Sequence, residues 1–280
     1  MNRILRLLLC TLLLPAMLTS CASAETRALF INVRKADAAL IEVNGLRFLV
    51  DTGHKDSLDQ LQQVLETYGV SRVDGIFITH TDKDHVGGLK KLLKSGFEAD
   101  MLYAPALHSE KSNEKHPVYE ASEKYGVPMT WLSSGDVIPA GEGAAFTVLG
   151  PLRKDPGKEN NNSLVMHLVT PDGSLLLTGD MELPEEADLL AAGLIPRADV
   201  LKVPNHGEDD ATGRQFALTV QPKWAIISTN TIDEPDTPDE KVLRNLTQAR
   251  ASIAVTQDAD VGILVILDKG KLDVQAINWE

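Results

Sequence analysis

A short segment of the chain carries four side chains that can bind metal ions. It reads His80-Thr81-Asp82-Lys83-Asp84-His85 and directly follows the apolar run Gly75-Ile76-Phe77-Ile78. Imidazole and carboxylate groups are common ligands of divalent metals. Their density, closed by the pair Gly87-Gly88, favours a metal site over the turn and capping roles that His and Asp also fill. The segment therefore predicts a metallohydrolase with its ligands on a strand-to-helix turn.

Short apolar segments separated by polar turns surround this motif. Asn44-Gly45 is a strong signal for a hairpin turn, and the polar stretch 108–125 is predicted to form a surface helix with loops. Strand-rich halves decorated with helices indicate a layered α/β architecture. The predicted strands cover 28–33, 39–43, 46–50, 146–149, 163–170, 174–177, 200–203, 224–228, 261–267 and 271–277, and the predicted helices cover 58–68, 86–93, 184–192, 212–220 and 238–246.

The composition is that of a globular protein with an acidic surface. The chain has 280 residues and a formal net charge of −13, and no linker divides it, so we expect one large domain. Affinity for nucleic acid without sequence preference comes largely from Lys and Arg that neutralise phosphates. The negative charge therefore disfavours non-specific nucleic-acid binding.

The first twenty residues predict export. Two arginines precede the apolar run 7–18, which is too short for a spanning helix and is typical of a signal peptide. Leu18-Thr19-Ser20-Cys21 resembles a bacterial lipobox, so we predict lipidation of Cys21; cleavage after Ala22 or Ala24 without a lipid is the alternative. These features predict a signal peptide over 1–20, a tether over 21–27, a domain over 28–280 and a cell-envelope lipoprotein on the periplasmic or extracellular face.

Cysteine cannot contribute to a metal site in the mature domain. Cys10 lies in the predicted signal peptide and Cys21 would carry the lipid, and the chain has no other cysteine. Histidine, carboxylate and amide oxygen remain as metal ligands.

Two distant segments complete a family pattern with the His80–His85 motif. They are Leu177-Thr178-Gly179-Asp180 and Val203-Pro204-Asn205-His206-Gly207. In this order the three segments resemble the metallo-β-lactamase superfamily, whose usual first motif is H-x-H-x-D-H. With Asp82 at the second ligand position, the motif reads H-x-D-x-D-H and resembles a branch that includes the hydrolase domain of DNA-uptake competence channel proteins. Four further segments resemble that branch as well: 30–33, 37–41, 50–53 and 160–165.

The resemblance implies a four-layer αββα sandwich with two metal ions in a cleft at one edge. It also implies that one of three consecutive asparagines replaces the histidine that normally completes the first site, and the sequence leaves open which one. The implied ligands are His80 and Asp82 for the first metal, Asp84, His85 and His206 for the second, Asp180 as a bridge, and one of Asn160, Asn161 and Asn162.

This ligand set suits hydrolysis by a metal-bound hydroxide. Two divalent ions lower the pKa of a bound water and stabilise the developing oxyanion, with Asp84 and Asp180 in catalytic positions. Zinc is the metal expected first, because imidazole suits zinc. The additional carboxylate of Asp82 makes the first site richer in oxygen, and manganese or iron are therefore possible as well. Asp51 is either a hydrogen-bond partner of a ligating histidine or a turn residue.

The remaining histidines are not expected to bind metal. His54, His108 and His116 lie in loops or in the polar stretch, where exposure is expected, and His167 is expected to pack within a strand.

Three departures from the branch bear on activity. Asn205 and Thr237 stand where the branch has histidine, Glu208 stands where it has serine, and 34–37 reads Arg-Lys-Ala-Asp in place of G-Q-G-D. The leading hypothesis is a metal-dependent hydrolase of a phosphodiester or related ester, acting on a small molecule or a polymer. A non-catalytic metal- or ligand-binding envelope lipoprotein is the alternative, and hydrolysis of a β-lactam or lactone is a weaker one.

Overall fold

The computed structural model describes residues 25–280. The predicted signal peptide, the predicted lipidation site Cys21 and most of the predicted tether lie outside the described residues. Seventeen strands and seven helices follow in chain order within the described part. The strands are β1 (Thr26–Ile31), β2 (Ala39–Val43), β3 (Leu46–Val50), β4 (Arg72–Val73), β5 (Gly75–Phe77), β6 (Glu98–Ala99), β7 (Leu102–Pro105), β8 (Met129–Leu132), β9 (Val137–Pro139), β10 (Ala145–Gly150), β11 (Val165–Thr170), β12 (Gly173–Leu177), β13 (Val200–Lys202), β14 (Trp224–Ile227), β15 (Ser252–Val255), β16 (Gly262–Asp268) and β17 (Lys271–Ile277). The helices are α1 (Leu58–Thr67), α2 (Lys83–Val86), α3 (Leu89–Lys94), α4 (Pro117–Tyr125), α5 (Leu183–Ala191), α6 (Arg214–Val220) and α7 (Glu240–Gln248).

Two large mixed sheets form the centre of the molecule. The first has the order β17-β16-β1-β2-β3-β5-β7-β8, and the second has the order β15-β14-β13-β12-β11-β10-β9. The pairs from β3 to β8 in the first sheet and from β12 to β15 in the second are parallel. Side chains that follow the carboxyl ends of such strands collect at one edge of a sheet.

Three separate apolar clusters identify four layers. One cluster fills the space between the sheets, a second joins the first sheet to α1, α3 and α4, and a third joins the second sheet to α5, α6 and α7. Alternation along the strands explains the division, since neighbouring side chains point to opposite faces. In β1, Phe30 enters the central cluster while Leu29 and Ile31 pack under the helices. The predicted αββα sandwich is confirmed.

Most predicted elements are present, with differences at their boundaries. The predicted helix over 86–93 is two short helices, α2 and α3, joined at Gly87-Gly88. A Cβ on Gly88 would lie 2.2 Å from the carbonyl oxygen of Thr52, so the glycine permits a close backbone approach. The short strands β4, β6, β8, β9 and β15 are additions to the predicted set.

The predicted exposure of two histidines in the polar stretch is wrong. His108 and His116 are both buried, because their rings pack against Trp131 of β8. The ring centroid of His108 lies 5.3 Å from that of Trp131, and the centroid of His116 lies 4.9 Å from it. The helix predicted within 108–125 is present as α4, which covers the second half of that stretch.

Among residues 25–280, no helix has the length and apolar character to cross a membrane.

Candidate metal centre

Three histidines and one aspartate from distant parts of the chain meet at the edge of the two sheets. His80 follows β5, His85 lies in α2, Asp180 follows β12 and His206 follows β13. Each of the four is almost fully buried. Their positions follow from the topology, because β5 belongs to the first sheet and β12 and β13 to the second. The cleft therefore lies where the carboxyl ends of parallel strands in both sheets come together.

Each of the three imidazoles is held through its Nδ1 atom. Nδ1 of His85 is 2.8 Å from a carboxylate oxygen of Asp51, and Nδ1 of His206 is 2.8 Å from the carbonyl oxygen of Ser228. Nδ1 of His80 lies 3.1 Å from the hydroxyl of Thr79. Hydrogen bonds of this kind orient a histidine and leave Nε2 free to bind a metal. All three Nε2 atoms face Asp180.

The distances around Asp180 fit metal ligation. Its Oδ2 atom lies 3.0 Å from Nε2 of His85, 3.1 Å from Nε2 of His206 and 3.9 Å from Nε2 of His80. Ligand atoms around a tetrahedral ion with bonds of about 2.1 Å are about 3.4 Å apart. Within residues 25–280, Nε2 of His80 and Nε2 of His206 are buried without a hydrogen-bond partner. A bound cation would supply the partner that these buried atoms need.

The two remaining aspartates of the motif lie beside different histidines. A carboxylate oxygen of Asp82 is 3.8 Å from Nε2 of His80, and one of Asp84 is 3.4 Å from Nε2 of His206. Asp82 is half exposed at the start of α2, while Asp84 is more enclosed. Asp82 therefore lies on the His80 side of the cleft and Asp84 on the His206 side.

Electrostatics in the cleft are dominated by pairing between imidazole and carboxylate. Burial lowers the pKa of His206, but Asp180, Asp84 and Asp37 together outweigh burial and raise that pKa to about 10. The pKa of His85 is also raised, since Asp180 and Asp51 outweigh burial. For His80, burial and the neighbouring charge of His85 lower the pKa to about 4. The carboxylates thus hold positive charge where cations would bind.

The loop before β11 contains the three asparagines, and the amide oxygens of two of them already accept hydrogen bonds, one from within the loop and one from α5. Asn162 accepts a hydrogen bond from the backbone of Asp155 through Oδ1, and Asn161 accepts one from the backbone of Glu185. Asn160 donates to Glu182 at 3.1 Å and to Asn205 at 3.5 Å. Within the described chain, its amide oxygen accepts no hydrogen bond, so Asn160 is the asparagine of the three whose amide oxygen is not already engaged.

Asp51 lies directly behind the ligand cluster. Besides contacting His85, it accepts hydrogen bonds from the backbone and the hydroxyl of Thr79, both at 2.8 Å. Its φ of +61° is unusual for a residue with a side chain. Of the two roles considered from sequence, the geometry places it as the hydrogen-bond partner of a histidine.

Sequence reasoning gave no role to two charged groups in this site, Asp37 and Lys202. Both are buried and form an ion pair. Ligand atoms of Asp37, His85, Asp180 and His206 lie within 4.8 Å of one another, and Lys202 pairs with Oδ2 of Asp37 but leaves its Oδ1 without a partner among the described residues. A signal was present in the sequence: a lysine inside the apolar strand segment Val200-Leu201-Lys202-Val203 is rare unless it is paired.

The positions that depart from the competence-protein branch carry local hydrogen bonds. Asn205 donates to Asp210 at 2.8 Å, and the hydroxyl of Thr237 contacts the hydroxyl of Thr229. His54 is partly exposed beside Asp56, and His167 is half buried in β11. Among the described residues, no hydrogen bond or ion pair joins these four side chains to His80, His85, Asp180 or His206, and Asn205 accepts a hydrogen bond from Asn160 at 3.5 Å.

Comparison with known proteins identifies the family. The model of the Metallo-beta-lactamase superfamily matches residues 31–229. The chain belongs to that superfamily. ComE operon protein 3 of Bacillus subtilis (strain 168) is 32% identical over 273 residues, which cover 91% of this chain and 34% of that protein. Competence protein ComA of Neisseria gonorrhoeae is 23% identical over 252 residues, which cover 90% of this chain and 32% of that protein.

These relatives confirm the predicted resemblance to the competence-protein branch of the metallo-beta-lactamase superfamily. The chain spans about a third of the length of the curated relatives it matches. Among solved structures, the metallo-beta-lactamase fold protein YhfI from Bacillus subtilis matches with a TM-score of 0.56 and 11% identity, covering 86% of this chain and 99% of that one. At that identity the match supports the fold alone.

Proposed function

We propose that this metallo-beta-lactamase-fold domain, covering residues 28–280, is a dinuclear metal-dependent hydrolase of phosphodiesters or related esters. The observation that carries the proposal is the convergence of three imidazole Nε2 atoms on one carboxylate oxygen of Asp180, at 3.0 to 3.9 Å. A buried cluster of this kind costs free energy unless its polar atoms are satisfied. Metal binding would satisfy them.

The proposed ligand sets follow the pairs of side chains in the cleft. His80, Asp82 and Asn160 would hold the first ion, and Asp84, His85 and His206 would hold the second. Asp180 would contact both. When bound, two divalent ions lower the pKa of a water and stabilise negative charge that develops on the substrate. Zinc is the expected metal, with manganese or iron as alternatives because three carboxylates and an amide supply oxygen.

The chain's own residues would orient the reaction. Asp51, Thr79 and Ser228 fix the three imidazoles through Nδ1, so the ligands need little rearrangement. Asp84, which lies 3.4 Å from Nε2 of His206, would also accept a hydrogen bond from the attacking water. Neither Asn205 nor Thr237 can protonate a leaving group, since an amide and a hydroxyl do not titrate near neutral pH. Esters with good leaving groups should therefore react fastest.

A panel of substrates tests this proposal. The full chain, reconstituted anaerobically with zinc, manganese or iron, is assayed on bis(p-nitrophenyl) phosphate, an alkyl phosphodiester and a chromogenic cephalosporin. We expect metal-dependent hydrolysis of the activated phosphodiester above that of an Asp180→Ala variant. Equal rates for the two proteins would overturn the proposal. Hydrolysis of the cephalosporin alone would replace it with a β-lactamase activity.

A non-catalytic binding protein on the same scaffold is the second candidate. It is favoured by the hydrogen bonds that engage Asn205 and Thr237, the two positions where the branch has histidine. Fewer than one metal per chain after reconstitution would support it. Full metal content without hydrolysis of any ester in the panel would also support it.

We further propose that the domain works outside the cytoplasm as a lipoprotein. The proposal rests on the apolar run 7–18 and on Cys21 behind Leu18-Thr19-Ser20. Metabolic labelling with a fatty-acid analogue tests it, with Cys21→Ser as the control. Label on Cys21→Ser equal to that on the unchanged chain would contradict it.

A further inference from the structure

A lysine lies buried beneath the proposed metal centre. Lys202 ends β13, and only 5% of its surface is exposed. Its ammonium is paired with the carboxylate of Asp37, donates to the carbonyl oxygen of Gly179 at 3.3 Å and lies 3.7 Å from Oδ1 of Asp180. Burial lowers the pKa of Lys202, but the charges of Asp37 and Asp180 outweigh it. A buried cation of this kind requires close partners.

The two oxygens of Asp180 have different surroundings. Oδ2 faces the three imidazoles, whereas Oδ1 faces Lys202. Among the described residues, Oδ1 has no hydrogen-bond partner, and the ammonium of Lys202 lies 3.7 Å from it. The carboxylate therefore presents one oxygen to the cleft and one to the lysine.

Asp37 is a second carboxylate within reach of the cleft. One of its oxygens is 3.8 Å from Nδ1 of His85, and its backbone is fixed by hydrogen bonds to Asp84 at 3.1 Å and Gly53 at 2.8 Å. A fixed carboxylate this close to the histidines would compete for a metal if it were free. The ammonium of Lys202 neutralises Asp37 and engages its Oδ2, which weakens that competition, while Oδ1 of Asp37 has no hydrogen-bond partner among the described residues.

We propose that Lys202 is a positioning residue of the metal centre, which keeps Oδ1 of Asp180 and the carboxylate of Asp37 out of the coordination sphere. Asp180 then offers a single oxygen, Oδ2, to both ions. This inference rests on the proposed dinuclear function. The ion pair also joins the loop after β1 to the end of β13, so a purely structural link between the two sheets is the competing explanation.

Cobalt(II) alone serves as the probe, because its absorption reports coordination and its magnetic resonance reports coupling through a shared oxygen. The full chain, Lys202→Met and Lys223→Met are titrated with Co²⁺ in parallel. Lys223→Met is the matched control, since Lys223 pairs with Asp199 at 2.8 Å on the surface. We expect two coupled ions in the unchanged chain and in Lys223→Met. In Lys202→Met we expect affinity for at least one ion to fall about 10- to 100-fold, with loss of the coupled signal.

A double variant guards against simple misfolding. Asp37→Asn with Lys202→Met removes both buried charges, and its fold is checked by circular dichroism. We expect it to lose the coupled signal while keeping its helix and strand content, because Oδ1 of Asp180 is no longer held. An unchanged affinity and coupled spectrum in either folded variant would overturn the inference and leave the proposed function standing. Fewer than two ions in the unchanged chain would overturn both.

Discussion

Two groups of buried histidines in this domain have different electrostatic surroundings. The metal-site histidines are His80, His85 and His206, and the loop histidines are His108 and His116. Aspartates surround the first group and raise the pKa of His206 to about 10, while burial and the charge of His85 lower the pKa of His80 to about 4. The ring of Trp131 packs against the second group of histidines. There, burial and the charge of His108 lower the pKa of His116 to about 3. Burial of a histidine therefore does not indicate a ligand; neighbouring carboxylates do.

The two groups are joined by one carboxylate. Glu159 accepts hydrogen bonds from the hydroxyl of Thr81 at 2.7 Å and from the backbone of Ser109 at 2.8 Å. Thr81 lies between His80 and Asp82, and Ser109 follows His108. The packing of the loop histidines on Trp131 thus fixes a segment that supports the metal motif through Glu159. One group is suited to bind ions and the other to hold a loop in place.

The largest expected contrast comes from removing one imidazole from each group. We expect His206→Ala to reduce hydrolysis of an activated phosphodiester about 1,000-fold or more, because it removes a ligand of the second ion. His116→Asn should retain both ions and most of the activity, since asparagine can replace the cap that Nδ1 of His116 provides to Val118. Metal analysis and rate measurements on both variants check this. A comparable loss in the two variants would remove the distinction between the groups.

Acid should destabilise the fold through His116. Its folded pKa of about 3 lies below the unfolded value of 6.5, so the unfolded chain binds the proton more readily. The stability that neutral His116 contributes is complete above pH 6.5 and is lost as pH falls toward 3. Between pH 7 and pH 5 the loss is about 2 kcal/mol. Denaturant unfolding at several pH values should show a smaller loss for His116→Asn, and parallel pH profiles would contradict the prediction.

Breaking the link between the groups should affect activity more than stability. Glu159→Gln keeps an acceptor for Thr81 but loses the charge, which weakens a hydrogen bond by about 1.5 kcal/mol. We expect hydrolysis to fall about 10-fold, with metal content unchanged. Glu114→Gln, an exposed change in the segment between His108 and His116, is the control. If Glu159→Gln hydrolyses the ester as fast as this control does, the two groups act independently.

The smallest effect is expected at Trp131. Trp131→Phe removes part of the ring packed on the loop histidines and should cost about 1 kcal/mol. For a domain of this size, the midpoint of thermal unfolding should fall by about 2 °C to 4 °C. Metal binding should not change. Trp279→Phe, a change at a partly exposed ring near the carboxyl terminus, provides the comparison, and an equal shift in both variants would show that the contacts of Trp131 contribute little.

The metal-site histidines could be predicted from the sequence, while the loop histidines could not. His80, Asp180 and His206 each follow an apolar strand, and parallel strand ends meet at one sheet edge, so their convergence follows from order and spacing. The burial of His108 and His116 depends on Trp131, which lies in a short strand later in the chain. No periodicity in the polar stretch 108–125 indicates that contact.

The directions in which individual side chains point could also not be predicted from the spacing of residues in the sequence. The choice among Asn160, Asn161 and Asn162 depends on which amide oxygens already accept hydrogen bonds. The apolar pattern of β13 predicts a strand but does not show which groups Lys202 contacts. The short strands β4 and β6, of two residues each, are below the length at which alternation can be recognised. The sandwich itself was predictable because its strands alternate over longer runs.

Anomalous diffraction from crystals of the full chain loaded with zinc tests the central claim most directly. The account predicts two strong peaks that share Oδ2 of Asp180, one beside His80 and Asp82 and the other beside Asp84 and His206. It predicts no peak between His108 and His116. Zinc bound at the loop histidines, or no zinc within bonding distance of Asp180, would contradict the account.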